Sequence, residues 1–129
     1  MKKNTKRKTI ITPEVIARIN KDEDRVTIVH CRYYTAIPVM ARVWPTTYLI
    51  ENSGRIRELL HAINIRVSPK YQIYEIYAGY IYFTLIFEGL SDDCTSFHIE
   101  EIIPETNGFI SDETPRNKQD VYQIEVLAP

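Results

Sequence analysis

Glycine is scarce in this chain. The 129 residues hold four glycines, at positions 54, 79, 89 and 108, and none are clustered. A glycine-rich phosphate loop is therefore excluded. Cysteine is scarcer, with only Cys31 and Cys94. Neither stands in a CxxC or Cys/His ligand spacing, which excludes a zinc-finger pattern and a dense disulfide framework. Two isolated thiols fit a reducing compartment, where cysteine behaves as a small buried hydrophobe. A single bridge between them stays open if their strands face each other across the core. No run approaches the roughly 20 apolar residues of a membrane helix. The basic N-terminus is not followed by the apolar stretch of about 7–15 residues that marks a signal peptide. The expectation is a cytoplasmic protein without a membrane contact. There is no internal repeat and no low-complexity segment.

What is present is an ordinary globular composition, 44% hydrophobic and 26% charged with a net charge of −1. A chain of this length can bury a core without staples and fits one domain. Charge is unevenly placed. Lys2, Lys3, Lys6, Arg7 and Lys8 put +5 on the first eight residues, and residues 91–129 carry nine acids against Arg116 and Lys118. Residues 1–8 are expected to be a disordered basic tail ahead of a single domain over 9–129. Such a tail can meet a phosphate backbone or anionic surface. No basic stripe continues into the domain, so solubility is the plainer role and nucleic acid is not the expected partner.

Strand signals dominate. Val26 to Tyr34 is rich in β-branched and aromatic residues, with Thr27, Val29, Cys31 and Tyr33 as the expected core face. Residues 39–50 are broken by Pro45, which predicts an edge, a bend or two short strands. Asn52-Ser53-Gly54 is a turn. The strongest element is a strand at 80–88. Ile81, Phe83, Leu85 and Phe87 share its inward face, and Tyr80, Tyr82, Thr84 and Ile86 its outward face. A one-residue slip would expose all four inward side chains, so the register is tightly set. Phe97, Ile99 and Ile103 mark a further strand; Tyr122, Ile124 and Val126 define the last. Residues 104–118 read as a loop pinned by Phe109 and Ile110.

Two segments are ambiguous. Thr12-Pro13 followed by Val15, Ile16 and Ile19 fits a short helix over 13–19, but an extended segment fits as well. Ile56, Leu59, Leu60 and Ile63 recur at helical spacing, which predicts a helix near 55–63. Leu59, His61, Ile63 and Ile65 also share a face at period 2. Short strands between turns, with at most one such helix, predict an all-β antiparallel sandwich.

The residues carry a resemblance. Thr47-Tyr48-Leu49, then Leu60-His61-Ala62-Ile63-Asn64-Ile65 and Pro69, precede Phe83-Thr84-Leu85-Ile86-Phe87-Glu88-Gly89-Leu90 and Ser96-Phe97-His98-Ile99-Glu100-Glu101. This succession resembles a group of little-characterised bacterial proteins with an immunoglobulin-like β-sandwich, over roughly residues 40–102. The resemblance implies an immunoglobulin-like sandwich and an extended 55–65. It implies no catalytic residues. Gly89 stands where that group more commonly has proline, and Ser91-Asp92-Asp93 is more acidic.

Chemistry-bearing residues are sparse. His30, His61 and His98 lack HExxH or zinc-finger spacing, so no metal and no cofactor is expected. His30 and Cys31 are neighbours on a strand and point to opposite faces, which argues against a Cys/His nucleophile there. The same divergence separates Glu100 from Glu101. Asp92-Asp93 reads as a solvated acidic turn. Tyrosine is the notable surface feature: Tyr74, Tyr80 and Tyr82 are the candidate binding residues, because tyrosine offers apolar area with a polar tip. The expected function is a non-enzymatic interaction or accessory module of a bacterial cell, with a protein partner or a homo-oligomer on the tyrosine face and the 104–118 loop. Two alternatives stand beside it. One is a small ligand-binding protein or enzyme using His61 or His98 with nearby acids. The other is a nucleic-acid or anionic-surface binder using the basic tail.

Overall fold

The computed structural model describes residues 25–75, 79–104 and 107–127, and these form eleven strands and no helix. β1 (Val26–Thr35) and β7 (Gly79–Glu88) pair antiparallel along ten residues, from Val26 opposite Glu88 to Thr35 opposite Gly79. Both alternate at period 2. Val29, Leu85 and Phe87 are fully buried, and Ile81, Phe83 and Cys31 nearly so. Each large apolar side chain contributes about 1.5–3 kcal/mol by leaving water. This pair is the spine of the molecule.

Beyond β7 lies β4 (Ile56–Ile63), and beyond β4 lies β3 (Thr47–Glu51), its hairpin partner. Gly54 makes that turn with φ +93°, a left-handed conformation that glycine adopts without a Cβ penalty. Its amide donates to the Glu51 carbonyl at 2.7 Å. β8 (Ser96–Ile102) pairs antiparallel with β3. Two short strands, β9 (Asn107–Ile110) and β10 (Thr114–Pro115), run beside β8. On the opposite side β11 (Val121–Glu125) lies next to β1. Ile110 and Leu127 then exchange backbone hydrogen bonds of 3.1 and 2.8 Å, so the two ends of the curled eight-stranded sheet meet. Leu49, Phe97, Ile99, Tyr122 and Val126 complete the core with the β1–β7 face. A second sheet of β2 (Val39–Val43) between β5 (Arg66–Val67) and β6 (Gln72–Tyr74) lies apart from this order.

The strand at 80–88, the split of 39–50 around Pro45 and the last strand match the sequence pattern. Two expectations are corrected and one open choice is decided. Residues 56–63, open between helix and strand in the sequence, form a strand and not the helix that their periodicity favours. β4 is an interior strand of the sheet, and Leu59, Leu60, Ala62 and Ile63, which divide between its two faces, are all half-buried. Apolar residues on both faces, with an irregular register between Leu59 and His61, imitate a helical period. The sheet is also mixed, not purely antiparallel: β1–β11 and β2–β5 are parallel pairs. Finally, 104–118 contains β9 and β10. Ile86 lies in the outward register of β7 yet is buried opposite Ile28 and His61. The 13–19 helix and the basic tail over 1–8 lie outside the described residues.

Candidate functional site

The outward registers of β7, β1 and β11 build one continuous surface. Pairing sets Tyr80 opposite Tyr34, Tyr82 opposite Arg32, and Thr84 opposite His30. The parallel pairing adds Gln123 beside His30 and Glu125 beside Arg32. All of these positions alternate with core residues, so the pleat that buries Phe83 and Cys31 also presents them outward.

The aromatic part is ordered by direct contacts. Tyr34 meets Tyr80 edge-on with ring centroids 5.6 Å apart, and Tyr80 lies 6.3 Å from Tyr82 at a tilt. Both separations fall in the favourable range for aromatic pairs. The Arg32 guanidinium sits 4.5 Å from the Tyr80 ring centroid, a cation–π distance. The same guanidinium donates to Glu125 Oε1 at 3.3 Å. Tyr34 is 51% exposed and Tyr82 62%. Exposed Ile37, Met40 and Ile73 lie on the segments that lead out of β1 and into β7.

Of the three tyrosines singled out by sequence, Tyr80 and Tyr82 share this surface. Tyr74 does not. It lies on β6 in the small sheet, opposite Val39, and is half-buried. Burial pushes its phenol up to about 12. Its hydroxyl donates to the backbone carbonyl of Asn64. Asn64 holds φ +66°, a left-handed conformation that asparagine tolerates better than most residues. Tyr74 thus steadies a turn whose Asn64 borders the tyrosine surface. Tyr34, which the sequence reading did not single out, takes its place in the cluster; its period-2 spacing from Arg32 is the signal that would have found it.

Beside Tyr82 the surface opens into a groove of about 610 Å³, lined by His30, Arg32, Asn64, Thr84, Gln123 and Glu125. His30 Nδ1 and Thr84 Oγ1 are 2.8 Å apart. A smaller apolar crevice of about 270 Å³ lies between the small sheet and the core, with Tyr33, Val39, Ala41, Ile81 and Phe83 among its walls. It is below the usual size of a small-molecule site.

The histidines do not converge. His98 on β8 sits 3.1 Å from Glu100 and 3.4 Å from Glu113. His61 is on β4, two strands away and several residues further along, which is on the order of 20 Å. Burial lowers the His61 pKa. Among the described residues no three His, Cys, Asp or Glu side chains gather as a metal site. Cys31 and Cys94 are both buried and unbridged. Burial raises both thiols, and the Glu51 carboxylate raises Cys94 further. Neither is a poised nucleophile. Glu100 faces outward while Glu101 is buried, where its carboxylate accepts from the Trp44 amide at 3.0 Å and the Phe109 amide at 3.2 Å. Local alternation assigned no role to Glu101, because its donors come from other segments, Trp44 57 residues away and Phe109 on β9.

No family model, no curated protein and no solved structure matches the chain.

Proposed function

We propose that this chain is a non-catalytic interaction module that engages a protein partner, or a second copy of itself, through the tyrosine face of β1 and β7. The observation that carries this reading is the contact series Tyr34–Tyr80–Tyr82 with Arg32 over Tyr80 on an exposed sheet surface. Tyrosine and arginine are enriched in the buried centres of interfaces, where they combine large contact area with polar tips. The fold reading that goes with it is an immunoglobulin-like sandwich, supported by the all-β architecture around one core. The mixed pairing is its departure from that pattern. Two unbridged buried cysteines support a reducing, cytoplasmic setting.

The test is site-specific photo-crosslinking in cells, with benzoylphenylalanine placed at position 34 and, separately, at the exposed position 93. Sedimentation over a concentration series reports on self-association. The reading expects discrete crosslinked species from position 34 alone, or self-association abolished by Tyr34→Lys. Equal crosslinking from both positions, with a monomer at every concentration, would overturn it.

A further inference from the structure

The structure assigns a second role to the groove beside Tyr82: we infer a binding site for a short, neutral carbohydrate chain. The inference goes beyond the protein-interaction reading and does not need a protein partner. Its volume of about 610 Å³ lies within the range of small-molecule sites.

The lining decides the ligand class. Tyr82 presents a flat, exposed ring at one wall. Around it stand the planar polar groups of Arg32, Glu125, Gln123 and Asn64. A pyranose ring has an apolar C–H face and a rim of hydroxyls. The face matches an aromatic platform, and adjacent hydroxyls match the paired donors and acceptors of carboxamide, carboxylate and guanidinium groups. Thr84 and His30, 2.8 Å apart, add further polar groups to the lining.

Charge excludes the main competitors. Among the described residues lining the groove, Arg32 is the one arginine or lysine, and it is already paired with Glu125 at 3.3 Å. A phosphate or sulfate would have to compete with that carboxylate and then lie close to it. Nucleic acids bind largely through unpaired cations on the phosphate backbone, and the groove offers none among these residues. An apolar peptide anchor would bury several of these polar groups without partners, at a cost for each. A neutral polyol supplies hydrogen bonds to all of them.

The experiment is calorimetric or saturation-transfer NMR titration with five probes: cellotriose, maltotriose, laminaritriose, mannotriose and chitotriose. Uridine monophosphate and inorganic phosphate form the anionic arm. Binding of at least one trisaccharide is expected, with neither anion bound. Tyr82→Ala should weaken it on the order of tenfold, the size of one stacking contact, and Tyr82→Phe should retain it. Gln123→Ala, an exposed change, should weaken it by a smaller factor; circular dichroism checks that each variant is folded. The inference is overturned if no trisaccharide binds, if binding survives both Tyr82→Ala and Gln123→Ala, or if either anion binds as well as the sugars. Crosslinking from position 34 does not depend on these outcomes, so the two readings can fail separately.

Discussion

Replacing Glu101 should destabilise the fold in a graded, pH-dependent way. Its carboxylate is the acceptor for two backbone amides, Trp44 at the β2–β3 turn and Phe109 on β9. Glu101→Ala leaves both amides without that acceptor in a part-buried site. Each orphaned donor costs about 1–3 kcal/mol. Part of the sum is recovered, because the variant no longer holds a carboxylate out of water and the site is 8% exposed, so water can reach it. The expected net loss is about 2–4 kcal/mol. A domain with roughly 5–15 kcal/mol of stability stays folded under that loss. Glu101→Gln keeps one acceptor and turns a donor toward the other amide, so it should cost about half as much. Urea unfolding followed by fluorescence of Trp44, the single tryptophan, reports on the site itself. An alanine variant within about 0.5 kcal/mol of the parent would refute the argument.

The pH dependence follows from the same contacts. Burial raises the Glu101 pKa and outweighs the two amide hydrogen bonds and the field of Arg42, all of which lower it. The folded-state value therefore lies above the unfolded value of about 4.3. The folded protein then holds the proton more tightly than the unfolded chain. The associated stability is fully present below the unfolded value and is lost as pH rises through the folded value. Glu101→Gln does not titrate. The stability gap between parent and Gln variant should narrow as pH rises from the acid side toward neutrality. A gap that widens over that range would show that the amide bonds, not burial, dominate.

Cys31 and Cys94 should react with a thiol reagent such as dithionitrobenzoate only after denaturation, since burial raises both thiols. Rapid labelling of the native protein would contradict their placement. Gly108→Ala should destabilise by about 1–3 kcal/mol or more, because the added Cβ would lie 2.0 Å from the Glu101 backbone oxygen, which cannot swing away as a side chain can. An unchanged thermal midpoint would mean that β9 does not approach β8 this closely.

Part of this architecture is legible in the sequence. Strand β7 shows its faces directly, since Ile81, Phe83, Leu85 and Phe87 alternate with Tyr80, Tyr82 and Thr84 and the pleat does the rest. β4 does not. It has strands on both sides and partial cover on both faces, so its apolar residues lose the alternation that a half-buried strand keeps. Glu101 is hidden for a different reason. The alternation Phe97, Ile99 leads to an inward slot at 101, and a carboxylate is tolerated there only because Trp44 and Phe109 bring their amides to it.

The candidate site divides along the same line. Tyr80 and Tyr82 can be picked out because exposure of alternate residues is a local property. Tyr74 looks equivalent in sequence, yet it belongs to another sheet and bonds a backbone carbonyl. The groove is wholly non-local. Arg32 meets Glu125 across 93 residues, through the one pairing in the large sheet that runs parallel among the described strands. Gln123 and Glu125 are ordinary outward polar positions when β11 is read alone. They come to line one groove with Tyr82 only because β11 adds to the edge of β1. Period-2 alternation shows which side chains leave the core. Strand order decides which of them meet, and in this protein β1, β7 and β11 bring Arg32, Tyr82, Gln123 and Glu125 around one groove.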